Sequence, residues 1–102
     1  MISKEEFITL INEHKKWNDR ITQVCDVLDI DMFEEDWINY TYSLFESTLD
    51  FLFTDSAVET ITWWLYEKGS NPSLEMYDNE GNEIPTDTVE DLWNYVKQYL
   101  RE

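Results

Sequence analysis

Residues 3–28 read SKEEFITLINEHKKWNDRITQVCDVL. Ser3 with Glu6 forms a capping box directly ahead of an apolar run. Phe7, Ile11, His14, Asn18, Ile21, Cys25 and Leu28 then recur in steps of four and three, and Leu10, Trp17 and Val24 widen the stripe. That spacing turns one face of a helix toward a core, so it predicts a helix from about residue 4 to about residue 28. His14 and Asn18 place two polar groups in the middle of that face. A helix of this length at the start of a short chain makes the fold mainly helical.

Working outward, Asp29-Ile30-Asp31 reads as a turn, and Asp31 with Glu34 has the spacing of a second capping box. Trp37, Thr41, Leu44, Thr48 and Phe51 follow at helical spacing, with Phe45 and Leu52 broadening the face expected to be buried. Glu35, Asn39, Tyr42, Glu46 and Asp50 fall opposite at 100° per residue. Thr54 or Asp55 opens a third helix, expected to run to about Lys68 and to stop at Gly69 in a left-handed turn. Asn71-Pro72 marks a break. Leu74–Tyr77 and Glu83-Ile84 flank Asp78-Asn79-Glu80-Gly81-Asn82, the pattern of a small hairpin over about residues 74–85. Asp87 or Thr88 then caps a last helix with the stripe Val89, Leu92, Trp93, Val96 and Leu100. The expected class is α+β, mainly α: a compact four-helix domain over residues 1–102 with a small β-hairpin before the last helix.

Composition sets the function classes. The chain has 102 residues, with 23 Asp and Glu against 7 Lys and Arg, for a net charge of -16. From Ile21 to Glu67 there is no Lys, Arg or His, but there are eleven carboxylates: Asp26, Asp29, Asp31, Glu34, Glu35, Asp36, Glu46, Asp50, Asp55, Glu59 and Glu67. Acidic chains without aromatics stay disordered. Here five Trp, six Tyr and five Phe supply the area for a core. Such a surface repels nucleic acid and anionic lipid and attracts basic surfaces. No apolar run suits a signal peptide or a membrane span, so the cytoplasm of a host cell is the expected location.

From Thr60 to Leu100, ITWWLYE, YDNEGNEIP and TVEDLWNYV follow one another. This order resembles a group of small acidic proteins of phages and prophages of Gram-positive bacteria. These carry an aromatic-rich helix end, a D-x-x-G-x-x-I-P-like turn and a T-x-E-D-L-[YW] helix. Trp63, Trp64, Tyr66, Glu67, Asp78, Gly81, Ile84, Pro85, Glu90, Asp91, Leu92 and Trp93 carry the likeness. It implies a mobile-element origin and an anti-defence, anti-CRISPR-like inhibitor. It brings no catalytic residue with it.

Chemistry-bearing constellations are few. Cys25 is the only cysteine, so neither an internal disulfide nor a multi-cysteine metal site can form. His14 and Cys25 stand eleven residues apart, about 16 Å along a helix, too far for a nucleophile–base contact. Read as an EF-hand, the loop at Gly81 would place Met76 at the first ligand position and Asp87 where a bidentate Glu belongs. A hairpin turn suits those residues better. Gly-rich phosphate loops and HExxH are missing. No cofactor, no metal and no enzymatic activity are expected.

The expected function is therefore binding. Like charges at Asp26/Asp29, Glu46/Asp50 and Asp55/Glu59 lie about 5–6 Å apart on helix faces, a spacing that suits the Arg and Lys of a groove built for phosphates. The expected partner is a basic nucleic-acid-binding host protein, a CRISPR effector or a restriction nuclease, engaged as a nucleic-acid mimic. The expected contact residues are Asp26, Asp29, Asp31, Glu34, Glu35, Asp36, Tyr42, Glu46, Asp50, Asp55, Glu59 and Trp63. Trp63 projects away from the core face of its helix, and joins the contact set if exposed. The alternative is a structural or regulatory phage protein that pairs through aromatic helix faces, as a homodimer or with an assembly partner.

Overall fold

In the computed structural model, which describes residues 1–101, the Ser3 hydroxyl accepts from the Glu6 amide and Glu6 returns a bond to the Ser3 amide. That capping box starts helix α1, Lys4–Leu28. Asp29 ends it in the left-handed region at φ 55°. A 3₁₀ turn, Met32–Glu34, leads into α2, Asp36–Leu52. Helix α3, Asp55–Thr62, continues as a π-helical segment, Trp63–Lys68. Strands β1, Met76–Tyr77, and β2, Glu83–Ile84, pair antiparallel with Met76 opposite Ile84. Helix α4, Val89–Val96, and a 3₁₀ turn, Lys97–Tyr99, follow. The class is α+β, mainly α, with four helices and a hairpin before the last.

The core is built where α1, α2, α3 and α4 meet. Phe7, Ile11, Phe45, Leu49, Phe53, Ala57, Ile61, Leu92, Trp93 and Val96 form one buried cluster. Phe7 meets Phe53 edge-on at 5.7 Å and Trp93 at 5.2 Å. Phe7 faces Phe53, and His14 faces Phe45, so α1 and α2 run antiparallel. The end of the chain closes over the α2–α3 junction. The Thr54 amide donates to the Tyr99 carbonyl, and the Arg101 amide donates to the Leu52 carbonyl, each at 2.9 Å.

Four expectations change. First, Asp31 accepts from the Phe33 amide at 2.9 Å and so caps the 3₁₀ turn, while Glu35 is the residue before α2. A short acceptor two residues from a free amide closes its own turn before it can cap a helix further on.

Second, the buried face of α2 is Ile38, Phe45 and Leu49, whereas Trp37, Leu44 and Phe51 are 55%, 49% and 81% exposed. The apolar side chains of α2 surround much of its circumference, so periodicity alone left the rotation open. The packing of Phe45 on His14 and of Phe53 on Phe7 sets it.

Third, Gly69 is right-handed, at φ -59°, and does not terminate its helix. The Asn71 amide still donates to the Glu67 carbonyl, and the stop comes at Pro72, whose ring disfavours a helical residue before it.

Fourth, the apolar stripe of α1 leaves the core after Ile21. Val24, Val27 and Leu28 are exposed there, and only Cys25 is buried.

Candidate interaction surface

The acidic segment keeps its charge at the surface. Of the eleven carboxylates between Ile21 and Glu67, ten are exposed and Glu35 is half-buried. Among the described residues only Asp55 has a cationic neighbour, Arg101, at 3.8 Å. The other ion pairs, Lys4–Glu90, Lys16–Glu13 and Lys68–Asp87, all lie outside this segment. Several carboxylates also have local structural work. Asp31 closes the 3₁₀ turn, and Asp36 and Asp55 sit in the first turns of α2 and α3, where the helix dipole favours a negative charge.

Chain connectivity sorts the segment into groups. Asp26, Asp29, Asp31, Glu34, Glu35 and Asp36 surround the turn between α1 and α2. Asp50 and Asp55 lie near the other end of α2, where Arg101 donates to the Asp50 and Phe53 carbonyls at 2.6 and 2.7 Å. Glu59 is exposed on α3. Glu46 lies between these ends, close enough to the Tyr66 phenol to help raise its pKa. The expected contact set therefore extends along the whole of α2.

A group of exposed apolar side chains follows the same helix. Trp37, Tyr40, Leu44 and Phe51 are all about half exposed or more, and Phe33, before α2, is 73% exposed. Trp37, Leu44 and Phe51 repeat every seven residues, so they share one side of α2. Periodicity does not distinguish this face from a buried one, because an apolar helical stripe has the same period whether it meets a core or a partner.

A cleft of about 650 Å³ opens between α1, α2 and the π-helical segment. His14, Asn18, Phe33, Tyr42, Glu46 and Tyr66 are among the residues that line it. His14 Nε2 lies 2.7 Å from the Tyr66 hydroxyl, and its ring stacks on Phe45. Burial pushes the imidazole pKa down to about 4. The Tyr42 hydroxyl donates to Asn18 Oδ1. Burial, then the neighbouring Tyr42 and Glu46, holds the Tyr66 phenol well above its ordinary range. The cleft thus offers a neutral imidazole and protonated phenols, groups suited to hydrogen bonding and ring stacking. Tyr42 belongs to this cleft wall and is half-buried. The pairings of His14 with Tyr66 and of Asn18 with Tyr42 cross between helices and left no local signal in the sequence.

Trp63 is half-buried, with the Lys68 ammonium 6.0 Å from its ring centroid. Lys68 itself is buried and donates to Thr86 Oγ1 at 2.6 Å, with Asp87 at 3.4 Å. The Trp64 indole donates to the Thr86 carbonyl at 2.7 Å. The π-helical segment thus pins α3 to the loop before α4. In the 78–82 turn, Asp78 Oδ1 accepts from the Glu80 and Asn82 amides at 2.9 Å, so this carboxylate closes a turn. Among the described residues no group of three or more His, Cys, Asp or Glu is placed to hold a metal ion, and no helix is long and apolar enough to cross a membrane. No protein-family model, curated protein or solved structure matches the chain.

Proposed function

We propose that this chain is an acidic binding module, a phage-derived inhibitor that occupies the nucleic-acid groove of a basic host defence protein. One observation carries the reading. A cation-free segment of eleven carboxylates stays exposed, and among the described residues only one of them is ion-paired. Self-repulsion of that size weakens the compact state. A basic groove would neutralise it, and would meet carboxylates spaced along α2 and around the α1–α2 turn. Competition with nucleic acid would be steric and electrostatic, without chemistry. A CRISPR effector or a restriction nuclease is the class of target that such a groove and the mobile-element likeness suggest.

The second reading, pairing through aromatic helix faces, is favoured by the exposure of Trp37, Leu44 and Phe51. One experiment tests the first. The protein is used to capture partners from a Gram-positive host extract at low and at moderate salt, with DNA as a competing eluant. The expected result is recovery of a basic nucleic-acid-binding protein that salt and DNA both release, since screening weakens exposed charge pairs. Recovery of none would overturn the reading.

A further inference from the structure

Trp37, Leu44 and Phe51 form a seam on α2 that keeps about half or more of each side chain in solvent. Fourteen residues separate the first from the last, about 21 Å along the axis. A repeat of seven is the spacing by which one helix receives another. Tyr40, 65% exposed, lies within the same seam. One position before each seam residue come Asp36, Ser43 and Asp50, so the flank of the seam is acidic at both ends. Asp36 and Asp50 are exposed, and no cation pairs with either side chain among the described residues. Arg101, nearest to that end, is committed to backbone carbonyls and to Asp55.

We infer that this seam docks a basic amphipathic helix of the partner protein. Apolar side chains of that helix would cover Trp37, Leu44 and Phe51, and its Lys or Arg residues would reach Asp36 and Asp50. Charge complementarity selects this occupant. A second copy of the chain would bring another acidic flank and another net charge of -16 against the first, and like charges at flanking positions oppose pairing. The inference rests on the reading of the protein as a module for basic partners, and adds the surface and the shape that it recognises.

Calorimetric titration with three synthetic 21-residue peptides tests it. The first carries Leu at the seam spacing and Lys at the flanks. The second has the same composition in scrambled order, and the third has Glu in place of Lys. The first is expected to bind at least about tenfold more tightly than the second, and the third not at all. The double variant L44S/F51S, at two exposed positions and checked for fold by circular dichroism, should bring the first peptide down to the level of the second. D36N/D50N should remove most of the salt dependence. Equal binding of the first two peptides, unaffected by L44S/F51S, would overturn the docking seam while leaving a general affinity for basic partners. Failure of both basic peptides to bind would overturn the seam and the proposed function together. Self-association of the free protein in sedimentation, abolished by L44S/F51S, would make the occupant a second copy and overturn the inference.

Discussion

His14 lies flat on Phe45, with ring centroids 3.7 Å apart and planes within 7°. The stack locks α1 to α2 and takes the imidazole out of water. With its pKa lowered to about 4, against 6.5 for an exposed imidazole, His14 is neutral in the folded protein at neutral pH. Between those values the unfolded chain binds a proton that the folded chain refuses. The stability from neutral His14 is therefore fully present above about pH 6.5, and is lost as the pH falls to about 4.

Protonation of carboxylates relieves repulsion near the lower limit, so the measurement is a difference. In urea titrations, the native protein should lose roughly 2–3 kcal/mol relative to His14→Gln between pH 7 and pH 4. Parallel pH profiles for the two proteins would mean that His14 titrates as it would in water.

The rotation of α2 gives a sharp contrast between neighbouring leucine positions. Leu49 is fully buried, whereas Leu44 is 49% exposed. Leu49→Ala should cost about 2–5 kcal/mol through lost burial and the cavity left behind. Leu44→Ala should stay within about 0.5 kcal/mol. Equal costs in chemical denaturation would place the seam of α2 in the core after all.

Charge repulsion should be visible in the melting temperature. Raising salt from low to moderate concentration should increase it, because screening weakens the self-repulsion of the net charge. The triple variant Glu35→Gln, Glu46→Gln and Asp50→Asn should fold with equal or higher stability, and should bind a basic target more weakly, most clearly at low salt. Glu75→Gln, Glu80→Gln and Glu83→Gln change the net charge by the same amount on the hairpin side. Equal loss of binding in both triples would assign the effect to net charge alone.

Asp29 has the only positive φ outside glycine among the described residues, at 55°. It also puts a negative charge at the C-terminal end of α1, where the dipole disfavours one. Asp29→Gly should therefore raise stability by about 0.5–1 kcal/mol in denaturant titrations. A loss of stability would show that its carboxylate makes a contact of greater value than the strain.

The capping box at Ser3, a cap at Asp87 or Thr88, the long α1, the Gly81 hairpin and the α4 stripe from Val89 to Val96 were legible from residues close together in the chain, whereas Leu100, expected on that stripe, lies beyond α4 after the 3₁₀ turn. Local hydrogen bonds and a helical period produce them, and both are written in neighbouring positions. The acidic segment was equally plain, since charge is a property of composition. Which face of α2 meets the core was decided elsewhere. His14, Asn18 and Phe7 on α1 select Phe45, Tyr42 and Phe53 as their partners, and that choice turns Trp37, Leu44 and Phe51 outward. The His14–Tyr66 pair arises in the same way, across 52 residues. A helix with apolar side chains on more than one side has several nearly equivalent ways to pack, and only the shapes of the helices beside it separate them.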